Sequence, residues 1–220
     1  MSTDITLPAP AQPAGAAVLS DAEARRTAGY IASQQASSGE IPWFIGGHTD
    51  PWDHVEAAMG LDVQCEHDRA EAAYEWLLRH QNADGSWARE YRQGVASDLS
   101  SESNFTAYPA VGLWHHYLSV GDGGTLRRFW PMVVAALDNV LGLQRRDGAI
   151  VWARDAGGRP AEEALITGCC SIYHSLRCAL AIARELGERR PDWEWAACRL
   201  RHVLTHHPDR FSPKTRFSMD

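Results

Sequence analysis

The chain has no apolar run approaching the roughly 18 residues a membrane helix needs. Its first ten residues, Met1 to Pro10, hold neither a basic segment nor an apolar one, so no secretion signal is expected and the protein reads as soluble and cytoplasmic. Cysteine is scarce. The five residues Cys65, Cys169, Cys170, Cys178 and Cys198 are odd in number and lack paired C-x-x-C spacing, which points to reduced, buried thiols rather than a disulfide framework. Positive charge is also short: 21 Lys and Arg against 28 Asp and Glu give a net charge of -7. The arginines are scattered, which argues against nucleic acid or an anionic membrane as a partner. No Ser-His-Asp order, phosphate-cradling glycine loop or nucleotide fingerprint is present. The 220 residues, 45% of them hydrophobic, suffice for one large domain or two small ones.

The chain does hold one phrase written three times: Gln35-Ala-Ser-Ser-Gly39-Glu-Ile-Pro-Trp43, Gln81-Asn-Ala-Asp-Gly85-Ser-Trp87 and Gln144-Arg-Arg-Asp-Gly148-Ala-Ile-Val-Trp152. Each copy closes a segment with helical apolar spacing. Ahead of Gln144 run Leu126, Phe129, Trp130, Val133, Leu137, Val140 and Leu141; ahead of Gln81 run Ala70, Ala73, Tyr74, Leu77 and Leu78; ahead of Gln35 stand only Ala28 and Ile31. This is the spacing of one helix face. The Gln falls at the helix end on that face, where an unpaired amide costs roughly 1–3 kcal/mol. Its amide is expected to bond the backbone of the following turn, with the Trp covering it. A single hairpin cannot bury its own apolar face, so the units must stack on a shared core.

Residues 1–18, rich in Ala and Pro, read as a disordered lead-in, and 19–220 as the folded domain. Ser20-Asp-Ala-Glu23 is a capping box that opens a first helix reaching Gln35. A second begins at Pro51; a third covers 66–81, a fourth 104–120, a fifth 125–144, a sixth 167–186 and a seventh 192–206. A polar loop is expected from Trp87 to Glu102. Helices one, three, five and seven carry charge on one face, whereas two, four and six are small, aromatic or weakly charged nearly all round. That alternation gives an all-α fold with an inner and an outer ring, an α/α toroid. A closed ring of six hairpins takes about twelve helices, so by usual helix and loop lengths seven leave it open. Either the toroid is partial or the chain has lost a C-terminal part. An unfinished ring exposes apolar faces and invites a homo-oligomer.

In a toroid the starts of the inner helices converge on one mouth. Three segments qualify: Gly46 to Glu56, Asp98 to Tyr108 with Trp114-His115-His116 behind it, and Thr167 to His174. Paired carboxylates beside flat aromatic faces are what glycoside cleavage requires. Asp50 and Asp53 are the candidate acid/base groups, although Asp50 before Pro51 also has the position of a helix cap. The opposed carboxylate must come from elsewhere, Glu102 and Asp98 being nearest. Trp43, Trp52, Tyr108 and Tyr173 are candidate sugar platforms, and His48, Asn104, His115 and His174 candidate hydroxyl partners. His115 and His116 are adjacent and so face different sides of their helix. Cys170 and His174 lie one turn apart, with Cys65 or His67 as further donors. Strong zinc patterns need two close ligand pairs, so these are read as packing residues, and neither metal nor cofactor is expected.

The Gln-Gly-Trp phrase resembles the repeat of squalene–hopene cyclases and protein prenyltransferase β subunits, but the acidic Asp-x-Asp-Asp motif of the cyclases is absent. An isoprenoid cyclase or transferase therefore stands as an alternative, as does a non-catalytic sugar-binding fragment. The closer similarity is to an actinobacterial α/α-toroid family that includes mycobacterial methylmannose polysaccharide hydrolases. It rests on Ile41-Pro-Trp43, the run from Gly47 to Met59, Ala73-Tyr-Glu-Trp76, Ser103-Asn-Phe-Thr-Ala-Tyr108, Gly112-Leu-Trp-His-His116, the run from Thr167 to Leu180, and Ser218-Met-Asp220. The resemblance implies cleavage of an α-mannan or methylmannose-type saccharide, with one catalytic acid or base carried onto Asp50 or Asp53. It also implies a chain that continues past Asp220 and a second carboxylate in that continuation.

Overall fold

The computed structural model describes residues 19–212, so the expected lead-in and the Ser218-Met-Asp220 end lie outside the described residues. Eight α-helices follow one another: α1 (Asp21–Gln34), α2 (Pro51–Val63), α3 (His67–His80), α4 (Ser103–Ala107), α5 (Pro109–Val120), α6 (Gly123–Leu141), α7 (Ile166–Glu185) and α8 (Pro191–His206). The seven expected helices are all present. The fourth is divided, because Pro109 lacks the N–H to continue α4 and instead takes the first position of α5. The capping box is formed: Ser20 Oγ accepts from Glu23 N, and Ser20 N donates to Glu23 Oε2 at 2.8 Å.

Helices α2, α5 and α7 form the inner layer, α2 packing on α5 and α5 on α7; α1, α3, α6 and α8 back them from outside. This is the α/α toroid arrangement. By length and apolarity α7 resembles a membrane helix, but its apolar faces pack on α5 and α8 as an inner toroid helix should. The core between the layers holds Trp76, Leu77, Phe129, Leu137, Leu176 and Trp193, all nearly sealed from water.

The threefold phrase is the fastener between outer helices. Gln35 Nε2 donates to Gly39 O and to Arg69 O of α3; Gln81 Nε2 donates to Gly85 O and to Met132 O of α6; Gln144 Nε2 donates to Gly148 O and to Ala196 O of α8. The expected bond to the following turn is there, and a second bond seizes the next outer helix. The three glycines, at φ 92°, 89° and 98°, also press their backbone on that helix. A Cβ would lie 2.1 Å from Ala72 O, 2.2 Å from Ala135 O and 2.7 Å from Arg199 O respectively.

The Trp does not cover the amide in every copy. Two residues after the glycine stand Ile41, Trp87 and Ile150, all buried, with Trp87 Nε1 donating to Leu77 O at 2.8 Å. Four residues after it stand Trp43, Arg89 and Trp152. The phrase's tryptophans thus occupy two structural positions, and Trp43 is 54% exposed.

The segment expected as a plain loop contains a hairpin, β1 (Glu90–Arg92) with β2 (Val95–Asp98), turned at Gln93 and Gly94 with φ 52° and 75°. Positive φ at both central residues is the primed turn that matches strand twist. A second pairing joins β3 (Ser101–Glu102) to β4 (Ala153–Arg154). Tyr91 exchanges backbone bonds with Thr49 at 2.8 and 2.9 Å, and Ser103 N donates to Trp152 O at 2.9 Å. These bridges tie together the entries to α2 and α4 and the segment leading toward α7, which fixes one end of the inner layer as a common mouth.

Candidate active site

At that mouth α2 begins. Asp50 caps it, Oδ1 accepting from Asp53 N at 2.9 Å, while Oδ2 accepts the indole N–H of Trp43 at 2.6 Å. Both oxygens of a carboxylate that is only 4% exposed are therefore engaged. Asp53 lies on the exposed side of α2 one turn from Glu56. Its carboxyl is pushed up to about 7, first by partial shielding from water, then by hydrogen bonding to Asp50 and by the charges of Asp50 and Glu56. Asp53 is thereby set to hold its proton far above the usual carboxylate range. Asp53 also lines a cavity of about 360 Å³ whose walls include Tyr30, Pro42, Trp43 and Phe44.

The loop that carries Trp43 is fixed from the core side. His54, fully buried, accepts Ile41 N–H at Nδ1 (3.2 Å) and donates from Nε2 to Ala73 O (2.9 Å). Burial pushes its pKa down to about 4, so it is a neutral brace between the Trp43 loop and α3.

The predicted partners divide. His48 packs its ring against Trp43, with centroids 4.5 Å apart. Trp52 stacks on Tyr108 at 3.7 Å and 13°. Tyr108 is not an open sugar platform: it is buried, and its phenol donates to Glu56 Oε1. Asn104 stands at the start of α4, close enough to α7 that a Cβ on Gly168 would lie 3.8 Å from its Cβ. Tyr173 packs on the core with Arg177 donating to its oxygen at 3.4 Å, and exposed His174 contacts Cys178 Sγ at 3.7 Å. Both sit about 10 Å along α7 from its start, by the helical rise.

His115 is misplaced by the sequence reading. It lies beside Asp62, with Nδ1 3.9 Å from Oδ2, twelve residues or about 18 Å along α2 from Asp50. His116 reaches the same carboxylate at 2.8 Å, so the two neighbours straddle Asp62 instead of pointing apart.

Of the two carboxylates offered as opposed partners, Asp98 is spent on a turn, accepting Ser100 N and Oγ, which lowers its pKa. Glu102 pairs with Arg89 at 2.9 Å; burial raises its pKa, with Arg89 opposing and Asp50 adding to the rise. Glu56, Tyr30 and Phe44 were missed. Glu56 was signalled by its three-residue spacing from Asp53, whereas Tyr30 and Phe44 reach the cavity only through tertiary packing.

No family model matches the chain. It is 50% identical over 203 residues, 92% of its length, to the MMP endo-(1,4)-3-O-methyl-alpha-D-mannosidase of Mycolicibacterium hassiacum. This chain is a relative of that mannosidase. It spans 56% of that mannosidase's length. Among solved structures, the fold of this chain is shared with cellobiose 2-epimerase from Bacillus thermoamylovorans (TM-score 0.65, 8% identity, 83% of this chain and 54% of that one). It is also shared with an unsaturated glucuronyl hydrolase specific for heparin (TM-score 0.62, 11% identity, 83% and 54%). At such identities the likeness establishes the α/α toroid and nothing of the chemistry.

Proposed function

We propose that this chain forms the acid-bearing half of a glycoside hydrolase site acting on an α-mannan or 3-O-methylmannose saccharide. The observation that carries the reading is the Asp50 and Asp53 pair, one carboxyl pushed up to about 7, beside exposed Trp43 at the common mouth. In this reading Asp53 protonates the departing glycosidic oxygen and regains its proton from water. Asp50 is the positioning residue: it holds Trp43 by its indole and keeps Asp53 protonated by its charge. The opposed base or nucleophile comes from the part of the hydrolase fold that this chain does not span. In this reading the substrate is a carbohydrate and the setting cytoplasmic; of the five thiols expected to be buried, Cys169 and Cys178 are, whereas Cys65, Cys170 and Cys198 are exposed.

The test is a chimera completed with the remaining part of the M. hassiacum mannosidase, assayed on 3-O-methylmannose oligosaccharides. Asp53→Asn is expected to lower kcat by about 10²–10⁴-fold, the usual worth of a general acid. The parent rate should fall as pH rises past about 7, and Asp50→Asn should move that limb to lower pH by removing a like charge. Sugar release undiminished by Asp53→Asn would overturn the assignment.

A further inference from the structure

At the far end of α2 from Asp50, four side chains converge that the acid pair does not use. Asp62 Oδ1 lies 2.9 Å from His67 Nδ1 and 2.8 Å from His116 Nδ1. The donor atoms of Asp62, His67 and His116 all fall within 4.8 Å of one another. His115 adds a third imidazole, its Nδ1 buried, 3.9 Å from Asp62 Oδ2 and without a hydrogen-bond partner. Asp62 and His116 are sealed, while the His67 side chain is 30% exposed and offers a path from solvent.

With His116 neutral, a hydrogen-bonded network alone leaves a fault here. If neutral His116 donates from Nδ1 to Asp62, its Nε2 is a bare lone pair, buried and without a hydrogen-bond partner. It also faces the Glu71 carboxylate at 3.7 Å. A cation on Nδ1 removes the fault: the ring proton moves to Nε2 and points at Glu71, giving the carboxylate–histidine–metal relay usual behind metal-bound imidazoles.

We infer that Asp62, His67 and His116 form a binding site for a borderline divalent cation, zinc(II) in the first instance, with Glu71 orienting His116 and His115 the nearest further donor. Imidazole nitrogens with one carboxylate suit zinc and its neighbours and disfavour calcium or magnesium, which take oxygen. Tetrahedral ligands at about 2.0–2.1 Å stand about 3.3 Å apart, so the two Asp62 contacts at 2.8–2.9 Å open by a few tenths of an ångström, while the two imidazole donors, within 4.8 Å of each other, settle to the same spacing. The ion would pin the last turn of α2, the first of α3 and the middle of α5. It would lie too far from Asp50 to touch a sugar there, so its role is structural.

The 220-residue chain, stripped with a chelator, is titrated with cobalt(II) and then zinc(II) while the cobalt d–d absorption is followed, and its melting is recorded with and without zinc. One equivalent of cobalt should give a tetrahedral-type band that zinc abolishes, and zinc should raise Tm. His67→Ala, at a solvent-facing helix start, should leave the chelated protein's Tm nearly unchanged and weaken binding by more than tenfold. Glu71→Gln should weaken it about tenfold. No saturable band would overturn the site and leave His116 as an imidazolium held between two carboxylates. Unchanged affinity in His67→Ala would overturn it equally, and would place the metal elsewhere, such as the exposed His202, His206 and His207 group on and after α8.

Discussion

His54 follows Asp53 directly, yet the two side chains do opposite work. Asp53 faces the cavity with a carboxyl held partly protonated; His54 turns into the core, where each ring nitrogen meets one backbone group. Replacing His54 with Leu keeps the volume and strands Ile41 N–H, while Ala73 O, inside α3, keeps its helical partner. A buried unpaired N–H costs about 1–3 kcal/mol, so His54→Leu should lose about 1–3 kcal/mol in urea unfolding, and a loss below 0.5 kcal/mol would refute the brace. The loosened Ile41 also frees the loop carrying Trp43. A local histidine thus secures the partner that Asp50 orients, and the sequence offered no sign of it beyond position: only the fold reveals that residues 41 and 73 flank the same ring.

At the scale of elements, the glycine of each repeated phrase does two jobs that one substitution separates. Gly85 needs both a left-handed backbone and the absence of a Cβ, because Ala135 O would stand 2.2 Å from one. Gly121 has φ 78° with open space around it. Gly121→Ala should therefore cost only the left-handed strain, about 1 kcal/mol. Gly85→Ala must also push α6 away and should cost 3 kcal/mol or more; equal losses in thermal or urea unfolding would show that the close approach is not energetically felt. The helices were legible because their signals are local: the Ser20 box, Pro51 after Asp50, and the apolar period of α6. The hairpin was not, because Gln93-Gly94 is a weak turn signal beside Asn-Gly, and the division at Pro109 hid inside an apolar run that reads as helical on both sides. The shared Trp of the phrase misled for a similar reason, since residues two and four places after the glycine look alike in sequence and face different surroundings in space.

Over the whole molecule, what the sequence carried was the alternation of two helix types, enough for an inner and an outer layer, and the acid cluster at the start of α2. What it could not carry was pairing between distant positions, such as Asp62 with His116 or Tyr108 with Glu56. Those pairings make the pH response of stability a property of the fold, and its sign can be worked out. His54 has its pKa depressed from 6.5 to about 4, so its contribution is full above about 6.5 and is lost as pH falls toward 4. Asp53 has its pKa raised from 3.8 to about 7, so its contribution is full below about 3.8 and is lost as pH rises toward 7. The two oppose each other across the same window. Water still reaches Asp53, which reduces its share, so His54 dominates and the parent should weaken mildly on acidification. Asp53→Asn removes the opposing part: it should stabilise the chain by about 1 kcal/mol at pH 8, after discounting for solvent. It should also steepen the loss between pH 6.5 and 4. Urea midpoints measured across pH 4 to 8 decide the matter, and an Asp53→Asn curve parallel to the parent's would mean that the carboxyl titrates in the folded chain as it does in the unfolded one.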